Sequence, residues 1–185
     1  MLNIDINDSW QPDIVVDLSD PLDHSRTFET TRFGPLRLES GRFDAIAAID
    51  VLEHVANLVS LMTNCLDLLR IGGEFQIKVP YDLSYAAWQD PTHVRAFNEN
   101  SWLYFTDWYW YLGWTKARFE VASLWYAYHP IGQQLSAEGM APDLILRTPR
   151  AVDAIDIVLR KRLLTVEERS RVDAYLTPAD RLPAS

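Results

Sequence analysis

Apolar runs separated by polar breaks divide the chain into recognisable elements. Phe43 to Ile49, "FDAIAAI", is largely apolar and reads as a strand buried on both faces. Val55, Leu58, Val59, Met62, Leu66 and Leu69 then recur at three- and four-residue steps, which is one face of a helix. Gly72-Gly73 ends that helix in the way a C′ glycine does. Glu74 to Pro80 alternates and predicts the next strand, which Pro80 cannot continue. Upstream, Leu2 to Ile6 and Asp13 to Leu18 read as shorter strands around a turn at Asp8–Pro12. Asp20 to Gly41 is polar, holds Pro21, Gly34 and Pro35, and reads as loop with room for a short helix.

Downstream, Asp82 to Arg95 has no clear period and reads as a long loop. Asn98 or Asn100 is placed to cap a helix through Ser101 to Tyr111. Phe119–Tyr128 and Ala154–Arg160 read as strands. Thr165 can cap a last helix with Glu167 and Glu168 in its first turn, where the dipole favours them. The tail from Thr177 to Ser185 reads as frayed. Strands joined by segments long enough for crossovers predict an α/β fold with a largely parallel, twisted sheet and flanking helices.

In such sheets ligands bind beyond the carboxyl ends of the strands. Asp5 ends the first strand, Asp17 the second and Asp50 the third, while Tyr81 and Asp82 follow the fourth. Parallel strands would bring these acidic ends to one edge. Asp50 with Glu53 also fits a plain capping arrangement, and His54 a packed or capping histidine; the coincidence at several strand ends favours a site. A second group, Tyr81, Asp82, Asp90, His93 and Arg95, crowds the loop after Pro80. It suits general-base chemistry on a hydroxyl or amine. It could also be a loop tied down by its own hydrogen bonds. A metal is not assigned to it, because no second histidine stands at helical i,i+4 spacing.

Composition narrows the classes. Hydrophobic residues make up 48% of the 185, enough for a globular core without staples. The formal charge of −9 and the lack of a basic stripe disfavour nucleic acid and anionic membranes as partners. The eight aromatics between Trp102 and Trp114 suit core packing plus a substrate or subunit surface better than a base-stacking platform. The single cysteine, Cys65, sits in the helical apolar pattern and excludes a disulfide framework. With no leader pattern and no long apolar run, the expected compartment is the cytoplasm.

"RFDAIAAIDVLEHV…LLRIGGEFQIKVP" resembles the class I S-adenosylmethionine-dependent methyltransferases in its strand ending before "LEH", its helix, its "GG" turn and its strand ending in Pro. "LNIDI" and "DIVVDL" look like that family's second and third strands. The likeness covers roughly Leu2 to Asp82 and continues more loosely through the last two strands. It implies a Rossmann-like domain over 1–185, with a cofactor-side half (1–82), a substrate loop and aromatic helix (83–118), and a final portion (119–185). It implies S-adenosylmethionine as cofactor: Asp5 on the ribose hydroxyls, Asp17 and the Leu18 N–H at the adenine, and Asp50 and Val51 near the methionine part. His93, assisted by His54 or Asp90, would be the acceptor-side base for a small-molecule or saccharide substrate. The family's opening strand and glycine-rich loop are missing, and no G-x-G occurs in the chain. The expectation is therefore an N-terminally truncated domain, in which the flanking strands pair directly or another chain fills the gap, as a homo-oligomer or with a partner. A degenerate, non-catalytic subunit is the alternative. An NAD(P) oxidoreductase fits less well, since its G-x-G-x-x-G turn is missing too.

Overall fold

The computed structural model describes residues 1–177; the expected fraying of the tail falls almost wholly outside them. The chain begins with β1 (Ile4–Asp5) and β2 (Ile14–Val15), a parallel pair. An antiparallel hairpin follows, β3 (Thr27–Thr30) and β4 (Gly34–Arg37). This corrects the expectation of loop and short helix over 20–41. Its turn is made at Gly34 (φ 66°), and the Thr30 hydroxyl donates to the Gly34 carbonyl at 2.9 Å.

Next come β5 (Phe43–Ile49), α1 (Leu58–Leu68) and β6 (Leu69–Pro80), a parallel β-α-β unit. Asn57 caps α1 by accepting from the Ser60 N–H at 3.2 Å. The helix ends at Leu68, and not at Gly72-Gly73. Those glycines lie in a register jump of β6, between the pairs Phe43↔Leu69 and Ala45↔Glu74. Gly73 is required there: a Cβ would stand 2.9 Å from the Arg70 carbonyl oxygen. The chain turns extended at Leu69, and the buried ammonium of Lys161 donates to the carbonyls of Leu69 (2.7 Å) and Asp67 (3.3 Å) at the end of α1.

Then follow α2 (Ala86–Gln89), β7 (Ala117–Tyr128), α3 (Pro130–Ala137), α4 (Pro142–Leu146), β8 (Val152–Leu163) and α5 (Val166–Leu176). The main sheet has the order β5-β6-β8-β7, with β8 antiparallel to both neighbours. Three of its four strands therefore run one way, an α/β, Rossmann-like arrangement with a mixed sheet. The helix expected over Ser101–Tyr111 is instead a pair of 3₁₀ turns, Leu103–Phe105 and Tyr109–Leu112. Helices α3 and α4 were not foreseen, although a proline at the start of each marks a helix opening.

Phe75, Ile77 and Val79 of β6 and Ile155, Ile157 and Leu159 of β8 are fully buried, against Leu61, Met62, Cys65 and Leu66 of α1. Burial pushes the Cys65 thiol up to about 12, so it packs as an inert hydrophobe. A second cluster, Ile14, Leu38 and Leu68, joins the N-terminal strands to Phe43 and Ile46 of β5. Side-chain packing is the link there, without strand pairing: β1 bonds only β2, and β5 only β6. Direct pairing of the two flanking strands is thus overturned. So is the burial of β5 on both faces. Only Ala48 of that strand is buried, because β5 lies at an edge of its sheet.

Candidate functional site

The backbone of β5 ends at Asp50, whose N–H donates to the Lys78 carbonyl at 2.9 Å. Asp50 then adopts φ 53°, the left-handed region that an aspartate tolerates better than most residues. That reversal starts a 3₁₀ turn, Leu52–His54, preceded by Val51 without any side-chain cap. The capping-box arrangement of Asp50 and Glu53 is therefore not formed. Leu52 and Glu53 point inward; Val51 and His54 stay exposed.

The loop after β6 folds back onto this turn. Asp82 N–H bonds the Phe97 carbonyl (2.8 Å) and Asp82 Oδ2 accepts from Asn98 (3.1 Å), closing the loop at its base. Tyr81 Oη lies 3.0 Å from both Glu99 Oε2 and the Leu146 carbonyl, and burial with the Glu99 charge pushes its phenol up. Arg95 donates to the carbonyls of Val55 (2.6 Å) and Ala56 (2.8 Å), and the Val94 N–H to the Glu53 carbonyl (2.9 Å). Asp82 and Arg95 thus tie the loop down.

The consequence is a meeting of two histidines from different elements. The rings of His54 and His93 pack edge to face, centroids 4.6 Å apart. Their tautomers follow from their partners. His93 Nδ1 lies 3.0 Å from the Ala87 carbonyl, which can only accept, so Nδ1 carries the proton. The Thr92 hydroxyl gives its single proton to Asp90 Oδ1 at 2.7 Å and so accepts from His54 Nδ1 at 2.9 Å. Both neutral imidazoles are left with an Nε2 lone pair. Asp90 reaches His54 only through Thr92. The Thr92 hydroxyl and amide hold the Asp90 carboxyl below its usual range, so it is ionised.

Beside them lies Glu53, for which the sequence left a capping role open and named no role in the site. It is 1% exposed, and neither carboxylate oxygen has a hydrogen-bond partner. Burial foremost, then the Asp50 charge, pushes its carboxyl up. The available signal was a glutamate framed by Leu52 and Val55 directly after a strand.

Asp5 ends β1, whereas Asp17 lies two residues beyond the end of β2, so the expected strand over Asp13–Leu18 is shorter than its pattern suggests. Asp5 Oδ1 accepts from the Asn7 N–H and Asp17 Oδ1 from the Ser19 N–H, both at 2.7 Å. Their second oxygens make no hydrogen bond among the described residues. The Leu18 carbonyl accepts from Asn64 of α1 at 2.8 Å, which anchors this end to the β5-α1-β6 unit. An open apolar groove of about 560 Å³ lies beside the loop, lined by Leu58, Val59, Arg95, Phe97, Tyr104 and Tyr111 among others.

No family model and no curated protein matches the chain. Among solved structures, an S-adenosylmethionine-dependent methyltransferase from Mesorhizobium loti is similar at 14% identity and a TM-score of 0.48, over 85% of this chain and 78% of that one. One from Archaeoglobus fulgidus is similar at 14% identity and 0.46, over 66% of this chain and 61% of that one. The [4+2]-cyclase SpnF is similar at 13% identity and 0.47, over 80% of this chain and 55% of that one. The chain thus spans less than two thirds of the last two. Its fold is α/β and Rossmann-like, similar to these solved structures, methyltransferases among them.

Proposed function

We propose that the chain acts in S-adenosylmethionine-dependent methyl transfer to a small-molecule or sugar acceptor. The observation that carries this is the meeting of His54 and His93 beyond the carboxyl ends of β5 and β6, each with a free Nε2 lone pair. The resemblance of the "LEH…GG…VP" stretch supports it from the sequence side.

The residues present fit the cofactor's chemistry. Asp5 Oδ2 is free to accept from a ribose hydroxyl and Asp17 Oδ2 from an adenine amino group, and the Leu18 N–H would donate to the ring. Asp50 and Val51, at the reversed end of β5, would flank the methionine part. When bound, the cofactor supplies an electrophilic methyl group. The protein's part is to align an acceptor oxygen or nitrogen and receive its proton. His93 Nε2 serves as that base, and its Nδ1 bond to Ala87 fixes the ring. The Asp90–Thr92–His54 chain orients the second imidazole.

Calorimetry with S-adenosylmethionine tests the reading. Binding is expected, weaker than roughly micromolar because no glycine-rich loop encloses the methionine part. The double variant Asp5→Ala, Asp17→Ala should abolish it. Tight binding that survives both substitutions would overturn the residue assignments.

One observation favours a second reading, a subunit that serves a partner instead of catalysing. The outer edge of β5 is unpaired among the described residues, and Ile49 is 47% exposed. A strand supplied by another chain would complete the sheet there.

A further inference from the structure

We infer that Glu53, His54 and His93 form a binding site for a divalent first-row transition ion such as Zn²⁺. One ligand atom from each lies within 4.8 Å of the other two. In a tetrahedral site with bonds of about 2.0–2.1 Å, ligand atoms stand about 3.4 Å apart. The three side chains therefore need to close by roughly an ångström, within the reach of small χ rotations.

The donor set is chemically selective. Two imidazole nitrogens and one carboxylate suit Zn²⁺, Fe²⁺ or Co²⁺, whereas Mg²⁺ and Ca²⁺ prefer oxygen ligands throughout. Both imidazoles already have the tautomer a metal needs, with Nδ1 protonated and Nε2 free. A carbonyl, Ala87, fixes one, and a hydroxyl backed by a carboxylate, Thr92 with Asp90, fixes the other. Outer partners of this kind set ligand orientation in metal sites.

Glu53 provides the independent observation. A carboxyl 1% exposed without a well-formed hydrogen bond is costly in either protonation state: ionised it has no donor beyond its own backbone N–H, protonated it lacks an acceptor. Asp50 is the acidic group whose charge it feels, and no Lys or Arg pairs with it among the described residues. A divalent cation would balance both acidic groups and give the orphaned oxygens a partner. His54 is exposed and His93 half-buried, so the ion would keep positions open to an outside oxygen.

An ion and a proton compete for the same Nε2 lone pairs. With the ion bound, His54 and His93 are ligands. The ion would then supply Lewis acidity toward an acceptor hydroxyl in place of a base at either ring. That catalytic consequence rests on the methyltransferase reading; the binding itself does not.

The test is calorimetric titration of the full chain with ZnCl₂ after dialysis against EDTA. One ion per chain is expected, with a Kd of roughly micromolar or below. His54→Ala and His93→Ala should each weaken it at least roughly tenfold. His24→Ala and His129→Ala, which change the chain's two other histidines, should leave it unchanged. Because an alanine variant could fold poorly, Glu53→Gln supplies a second measurement. It should melt at or above the wild-type temperature in EDTA and lose the zinc-induced rise in Tm. No zinc binding by folded protein, or binding that persists unchanged in the His54, His93 and Glu53 variants, overturns the site. Zinc binding without any S-adenosylmethionine binding would leave the site standing and remove the methyltransferase reading.

Discussion

His93 is held at one ring nitrogen by the Ala87 carbonyl and free at the other. His93→Ala should therefore lower turnover by roughly 10²-fold or more while S-adenosylmethionine affinity stays nearly constant. Turnover and affinity on the same variant, both measured in EDTA so that no ion occupies the ring, check this. A joint fall in stability and substrate binding would show that His93 only anchors its loop. Glu53 has its own pH signature. Burial holds its folded carboxyl above the ordinary value of 4.5, so the folded chain keeps a proton that the unfolded chain releases. Its contribution to stability falls as pH rises from about 4.5 through the folded value. In EDTA, Glu53→Gln should add roughly 1–3 kcal/mol at pH 8 and much less at pH 4. Urea unfolding at both pH values measures it; a loss at pH 8 would mean that the carboxylate has a compensating partner.

The last helix shows how an element is secured by its ends. The Thr165 hydroxyl accepts from the Glu168 N–H at 3.2 Å, and Glu168 Oε2 accepts from the Thr165 N–H at 2.9 Å, a complete capping box. The same carboxylate receives Arg162 (2.5 Å) and Arg118 (2.9 Å) from β8 and β7, which hold it down at about 2. The folded value lies below the unfolded one. The stabilisation is thus fully present above about 4.5 and is lost as pH falls through about 2. Glu168→Gln should cost roughly 3 kcal/mol at pH 7, and the difference from wild type should shrink to near zero by pH 2. Chemical unfolding as a function of pH checks it; a difference that stays constant would refute the linkage. Thr165→Ala removes the cap and the hydroxyl's bond to the Glu167 carboxylate (2.8 Å), and should cost about 1 kcal/mol at pH 7.

For the molecule as a whole, the open edge of β5 is the feature with the largest consequence. Its N–H and C=O groups on that side lack strand partners among the described residues, and Ala45, Ala47 and Ile49 are exposed. Such an edge pairs readily with another strand. Light scattering across a concentration series should show self-association, and Ala47→Lys should reduce it. A strict monomer at high concentration would show that the edge is protected in solution. The acidic charge of −9 opposes association at low salt, so the effect should grow as salt is added.

Local pattern was enough for much of this protein. Alternation and apolar periodicity specify β6, β7, β8 and the α1 face, because each buries one face against a neighbour and that burial is written in the residue spacing. The cap at Thr165 is legible for the same reason: its partners lie within four residues. The acidic and histidine residues at strand ends were also visible as a group. Tertiary structure decided what spacing cannot encode. "SWLYFTDWYWY" has apolar side chains on every side, so no helical face is preferred and packing around Phe105 and Tyr109 selects two 3₁₀ turns. "FDAIAAI" has a buried strand's composition, but its place at the sheet edge depends on which strands bond to it. A metal at His93 was the less favoured reading because no second histidine stands at helical i,i+4 spacing from it. His54, 39 positions earlier, meets it because the loop after β6 folds back onto the turn after β5. Glu53 could be cap or site in the sequence; in the fold the chain reverses at Asp50 (φ 53°) and Glu53 is buried with a carboxylate oxygen within 4.8 Å of those two rings' nitrogens.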